Sequence, residues 1–322
     1  MNKLAALGIL VIVLAVILSA SFNFTGYVIS TNTVRVGYLP ISASLPLFVA
    51  LDNGYFEQEG LKVDAVRFES SNPIMDSLLL GKLDATGGVS STTMLLIEEK
   101  QLGNFKVAGL QGETSERTAS CLIVRMGSGI KGIRDLSSKK LLTGPGLAGK
   151  SIVEVFLKSV NMTLSDINLA QMEYSLVVPA FLAGNGDAVF IWEPECTVVM
   201  ERAGNTSELL IDGPRPKFVI DPYISSGNLM STDFTGNYPK LAAKFVKAMD
   251  RAVDFIEKDE AGSKRILGKY TALDEETALK TKLYVYWKSG EMFGDLQRFA
   301  DLMLDAKMLK TSIDVTTLSY AG

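Results

Sequence analysis

The chain has 322 residues, an apolar fraction of 47%, a formal net charge of −4, two cysteines and no histidine. That length holds two domain-sized cores, while the acidic balance and the lack of any lysine or arginine run exclude an ordinary basic nucleic-acid surface. Without histidine, the commonest general base, the Ser–His and Cys–His nucleophile pairs and the commonest metal ligand are all missing, so the chain reads as a binder with no catalytic residue, metal site or cofactor.

The N-terminus has the layout of an export signal. Lys3 supplies a positive charge, residues 4–18 are apolar apart from one glycine, and Ser19-Ala20-Ser21 follows. A run of about 15 apolar residues lies at the upper limit of a signal core, and extension to Phe22 approaches the length of a spanning helix. Residues 1–22 are therefore either a cleaved signal or a retained anchor, and the mature protein is expected outside the cytoplasm, in the periplasm or on the outer face of the cytoplasmic membrane. No cysteine lies near Ser21 to carry a lipid.

Alternating Val34, Val36 and Tyr38 predict a strand that ends at Leu39-Pro40. After a loop, Pro46 opens a helix that stops at Asn53-Gly54. Strands over 62–68, 83–86 and 105–112, with a helix over 73–82 and a helix start at Val89-Ser90-Ser91-Thr92-Thr93, complete a first open sheet. The alternation of strands and helices implies mostly parallel strands with right-handed crossovers. The polar stretch 113–119 is a candidate hinge. Beyond it come strands over 120–125, 139–143, 168–174, 187–192 and 207–212, with helices over 150–160, 175–185 and from about Pro194. Residues 223–231 (YISSGNLMS) cross back. Leu241, Phe245, Val246, Met249, Val253 and Ile256 recur at helical steps over 238–259, and further helices are predicted over 262–270, 275–287 and 293–308.

Four segments taken in order, LPLFVALDNGYFEQEGLKVD with LLLGKLDATGG, then IRDLSSKKLLTGPGLAGKS, FLAGNGDAVFIWEPE and YPKLAAKFVKAMDRAVDFIEKD, are distributed along nearly all of the chain after residue 33. They resemble the nitrate/sulfonate/bicarbonate-type extracytoplasmic solute-binding proteins of ABC importers, a group that includes taurine- and thiamine-pyrimidine-binding proteins. The resemblance implies a type 2 periplasmic-binding-protein fold: two α/β lobes, each an open and mostly parallel sheet flanked by helices, joined by two crossover strands. Residues 34–115 would begin lobe I, 119–222 form lobe II, and 223–322 return to lobe I. It also implies a monomer that closes on a small solute and delivers it to an ABC permease with its ATPase.

Candidate ligand-binding residues fall in the loops. Tyr38 offers an aromatic wall or a core contact, beside Pro40, Ser42 and Ser44. Val89, Ser90, Ser91 and Thr92 present amides and hydroxyls at a helix start, or Ser90 or Ser91 simply caps that helix. Glu113 and Thr114 stand at the first crossover. Gly144, Gly146, Leu147 and Ala148 offer backbone N–H groups at a helix N-terminus. Trp192 and Glu193 end a strand on the side where open α/β sheets bind ligands.

No arginine or lysine stands at a matched position, which weakens nitrate and bicarbonate and leaves a small polar organic solute, sulfonate-like or a related anion, with a thiamine-type pyrimidine precursor as the alternative. Residues 144–151 also fit the Walker A pattern, so a P-loop nucleotidase is the rival of a different class, and a membrane-anchored solute sensor is a third. Cys121 and Cys196 read as two small buried apolar residues rather than as a disulfide.

Overall fold

The computed structural model describes residues 32–320; the export signal or anchor expected at 1–22 lies outside them. Among the described residues no helix is long and apolar enough to cross a membrane. The unit spanning residues 34–322 contains two sheets flanked by helices.

The first sheet begins with β1 (Thr33–Tyr38), whose Val34 and Val36 are fully buried. After a single 3-10 turn at Ser42–Ser44, Pro46 sits in the first turn of α1 (Leu45–Asp52), where its missing N–H costs nothing. A short α2 (Tyr55–Gln58) leads to β2 (Lys62–Arg67), then α3 (Ser71–Leu79), β3 (Ala85–Ser90), α4 (Ser91–Lys100) and β4 (Phe105–Glu113).

The second sheet holds β5 (Ser120–Arg125), β6 (Lys140–Thr143), β7 (Asn168–Gln171), β8 (Ala188–Trp192) and β9 (Ser207–Asp212). Between these strands come α5 (Leu147–Lys158), α6 (Tyr174–Leu182) and α7 (Glu195–Ala203), and α8 (Pro214–Phe218) follows β9. The chain then rejoins the first sheet through β10 (Tyr223–Ser231), followed by α9 (Thr232–Asn237), α10 (Pro239–Lys258), α11 (Glu260–Thr271), α12 (Glu275–Lys280), β11 (Val285–Trp287) and α13 (Phe293–Asp305).

Both sheets are mixed, not mostly parallel. The strand orders are β11-β4-β10-β3-β1-β2 and β7-β6-β8-β5-β9. The parallel pairs come from β-α-β steps, among them β1 with β3 and β6 with both β7 and β8. The strands that leave and re-enter a sheet run the other way. β10 inserts antiparallel between β3 and β4, and β5 lies antiparallel between β8 and β9. Alternation along the sequence could not reveal these insertions, because their partners are more than 60 residues away.

The helix predicted over 275–287 is also corrected. It ends at Lys280, and Val285–Trp287 pairs antiparallel with β4, opposite Leu110–Gly112. Tyr284 and Tyr286 are buried there, and the Tyr286 hydroxyl donates to the Ser42 carbonyl at 2.7 Å. The aromatic and β-branched run YVYW suits a pleated surface better than a helix, and the free edge of β4 supplies the partner.

The expectation for the cysteines fails as well. Cys121 on β5 and Cys196 in the first turn of α7 form a disulfide, with Cα atoms 6.0 Å apart. Helix α7 folds back over β8 and β5, which brings together two residues that are 75 positions apart.

At the strand crossing, packing leaves no room for a side chain. A Cβ on Gly112 would stand 2.1 Å from the Tyr223 carbonyl oxygen and 3.0 Å from the Trp287 ring. Gly112→Ala must therefore push β10 or β11 away from β4, and we expect a loss of about 1–3 kcal/mol, read as a lower urea midpoint at unchanged slope. A midpoint equal to that of the wild type would show that the crossing is looser than described.

Candidate functional site

The C-terminal ends of β1, β3 and β8, Ile152 in the second turn of α5 and the start of α6 converge on one cavity between the two sheets. Leu39, Ile41, Gly88 and Ser90 line it from the first sheet, Ile152, Tyr174 and Trp192 from the second, and Arg215, Tyr223 and Tyr284 lie around the crossing. Its volume is about 30 Å³, roughly the room of one water molecule. Gly88, at φ +73°, is required by space as well as by backbone: a Cβ there would lie 2.7 Å from the Ser44 hydroxyl.

Arg215 is the charged group of this cavity. It is 5% exposed and forms an ion pair with Glu113, which is fully buried. One guanidinium nitrogen donates to the Tyr284 hydroxyl at 2.9 Å, and the guanidinium carbon lies 5.2–5.6 Å from the ring centres of Tyr223, Tyr284 and Trp192. Burial alone would favour neutral Arg215, but the Glu113 charge and the surrounding phenols outweigh it and raise its pKa further.

Glu113 also accepts from the Ala119 N–H at 2.7 Å and the Ser120 hydroxyl at 2.9 Å. One carboxylate thus ties the end of β4 to the start of β5 and to α8. Burial pushes the Tyr223 phenol up to about 12 and those of Tyr174 and Tyr284 well above the usual range, so all three remain protonated and can donate hydrogen bonds at neutral pH. Glu195, whose charge is felt by Tyr174 and Tyr284, keeps one buried carboxylate oxygen without a hydrogen-bond partner. Burial pushes its carboxyl up to about 8, so it is mostly an O–H donor at pH 7.

Of the residues predicted from sequence, Ser90 and Trp192 line the cavity. Gly144 stands behind the Trp192 and Tyr174 rings, where a Cβ would come within 2.9–3.2 Å of both. In the first loop the cavity is lined by the neighbours of the expected residues, Leu39, Ile41 and Ala43. Tyr38 turns to Phe48 with ring centres 5.3 Å apart, the Ser44 hydroxyl donates to the Gly87 carbonyl at 3.1 Å, Ser42 is buried, and half-buried Pro40 is outside the lining. Val89 is core. Ser91 donates to the Ile224 carbonyl at 2.6 Å and Thr92 is buried beside it, so both secure β10.

Thr114 closes a turn with Arg117, whose N–H it accepts at 3.0 Å. Gly146 is the N-cap of α5 at φ +87°, Leu147 is exposed, and Ala148 falls in the same first turn. Lys150 is exposed, Ser151 donates to the Leu147 carbonyl, and the Gly144 and Gly146 carbonyls accept from the Gln171 side chain.

Glu193 does not enter this cavity. Next to Trp192 on the chain, it faces the other way and accepts from the Thr197 N–H and hydroxyl, each at 3.1 Å. Burial pushes its carboxyl up to about 7 against those hydrogen bonds. A carboxyl raised on folding stabilises the fold fully below its unfolded pKa of about 4.5, and that contribution is lost as pH rises toward 7. The difference in unfolding free energy between the wild type and Glu193→Gln should therefore move by on the order of 3 kcal/mol between pH 4.5 and 8, with the wild type relatively less stable at the higher pH. Parallel pH profiles of the two would contradict this environment for Glu193.

Sequence reasoning missed Arg215, Tyr174, Tyr223 and Tyr284. Arg215 stood in GPRPK, an unremarkable proline-flanked segment, and only the return of the chain through β10 carries it to Glu113. The absence of a cationic side chain from the expected site is thereby corrected.

The sequence pattern of the family described as "NMT1/THI5 like" matches residues 42–261. A Bacillus subtilis protein assigned to aliphatic sulfonate binding is 26% identical over 251 residues, covering 76% of this chain and 73% of that protein. Among solved structures, the alkanesulfonate-binding protein SsuA from Xanthomonas axonopodis pv. citri bound to MOPS superposes with a TM-score of 0.72 at 20% identity, over 90% of this chain and 98% of the other. The periplasmic nitrate-binding protein NrtA from Synechocystis PCC 6803 gives 0.71 at 13%, over 89% and 84%. These solved structures are periplasmic binding proteins, and this chain shares their fold.

Proposed function

Because the chain belongs to the NMT1/THI5-like family, we propose that it is an extracytoplasmic solute-binding protein of an ABC importer, which captures a small polar organic solute, sulfonate-like or a related anion, between its two sheets. The observation that carries this reading is the buried Arg215 at the wall of the cavity, ringed by three aromatic side chains. Glu113 already neutralises much of its charge, so a bound anion would draw on protonated phenols, the hydroxyls of Ser90, Ser225 and Ser226, and the N-terminal end of α4.

On this reading residues 34–115 with 223–322 form one lobe and 119–222 the other, and β4-to-β5 and β9-to-β10 are the crossings. A cavity of about 30 Å³ admits an organic solute only when the lobes part, so binding and closure are one equilibrium. Residues 1–22 export the protein and either leave it or tether it beside its permease.

A thermal-shift screen of the protein against alkanesulfonates, carboxylates, nitrate, pyrimidines and ATP with magnesium tests this reading, since a ligand of the folded state alone raises Tm. A rise with a sulfonate or carboxylate is the expected result. A rise with pyrimidines alone would move the solute to the thiamine-precursor class, and one with ATP and magnesium alone would overturn the reading in favour of the loop at 144–151.

A further inference from the structure

Beside the disulfide lies a second cavity, a solvent-open cleft of about 280 Å³, near the lower end of the range for small-molecule sites. It shares no lining residue with the cavity at Arg215. Its apolar wall is the Cys121–Cys196 disulfide with Ala119, Met200 and Leu209, and the side chains of Glu193, Glu201, Asp212, Lys280 and Lys282 complete it. The charges are not equivalent. Lys280 pairs with Glu201 at 2.7 Å and Lys282 with Asp212 at 2.7 Å, so both cations are matched at the rim. Glu193 is 2% exposed and belongs to no ion pair among the described residues. Its oxygens accept from the Thr197 N–H and hydroxyl, and the Lys282 backbone N–H and charge also favour its ionised form, but the two carboxylate oxygens keep acceptor capacity for a further donor.

We propose that this cavity is a second ligand site that takes a small organic cation, with an ammonium or amidinium head against Glu193 and an apolar body against the disulfide, Met200 and Leu209. An anion would meet three carboxylates against two lysines there, and a neutral apolar ligand would desolvate Glu193 without adding a donor to it. A cation with a short apolar body satisfies both demands. The inference does not depend on which solute the first cavity holds.

Calorimetric titration of the full chain with benzylammonium at pH 8, and with benzyl alcohol as its neutral isostere, tests the site. Saturable binding of benzylammonium is expected, at least about tenfold weaker for the alcohol and for Glu193→Gln. Met200→Trp, which fills the cavity from α7, should abolish it, with Leu209→Phe as the alternative filling variant if Met200→Trp does not fold. No saturable binding at pH 8, equal binding of the alcohol, or binding that survives the filled cavity would overturn the proposal. So would loss of benzylammonium binding in Trp192→Phe, which would place the cation in the first cavity instead.

Discussion

Arg215→Ala is expected to lower stability by about 3–5 kcal/mol, because removing one member of a buried pair leaves the other charge without a partner. Glu113 is fully buried, and its remaining contacts, the Ala119 N–H and the Ser120 hydroxyl, do not replace a cation. The Tyr284 hydroxyl loses a donor in the same step. For a domain of this size the loss corresponds to a drop in Tm of roughly 10 °C.

Glu113→Gln should be comparably harmful from the other side, whereas the double variant Glu113→Gln/Arg215→Met should recover part of the loss, since neither charge is then stranded. That recovery separates folding from binding. The double variant should be folded and should still fail to bind solute, if Arg215 contributes the cationic wall of the cavity. With Arg215→Met as the second single variant, strict additivity of Glu113→Gln and Arg215→Met in the double variant would contradict the pair as described. Arg215→Lys should also lose affinity, because a point charge cannot reach Glu113, Tyr284 and a ligand together as the planar guanidinium does.

The second large effect concerns the cysteines. A bond that closes 75 residues of chain restricts the unfolded state, and in the chain-entropy picture its removal costs about 4 kcal/mol. Cys121→Ala/Cys196→Ala should therefore show a clearly lower denaturation midpoint than the oxidised protein, and reductant should lower the midpoint of the wild type alone. Because Cys121 and Cys196 belong to the small apolar cluster on the second sheet, with Ile123, Val177 and Phe181, the loss should be confined to that sheet in hydrogen exchange. A midpoint indifferent to reductant would show the thiols to be free in solution.

Local patterns carried most of the elements. The strand at 207–212, the returning strand at 223–231 and the long helix from Pro239 were legible because apolar spacing and proline placement act over a few residues. The strand over 285–287 was not, because three residues of strand preference shortly after a helical segment become a strand only once β4 is beside them. Around the candidate cavity, Trp192 lines the wall from its place at a strand end, whereas in the first loop the lining falls to Leu39, Ile41 and Ala43, the neighbours of the residues expected. The lining residues there lie past the end of β1 in a loop and a 3-10 turn, where no regular alternation tells which side chains meet the cavity. The Glu113–Arg215 pair and the disulfide join residues 102 and 75 positions apart, and single-sequence reading holds no information about such pairings.

The central claim, that solute binds between the sheets, is tested most directly by the emission of Trp192. The chain has two tryptophans, and Trp287→Phe leaves only the one on the cavity wall. Titrating that variant with whichever small solute raises Tm most should change Trp192 emission saturably, with the same dissociation constant that calorimetry gives for the wild type. Calorimetric binding of that solute with Trp192 emission unmoved throughout the titration would place the ligand elsewhere and contradict the account.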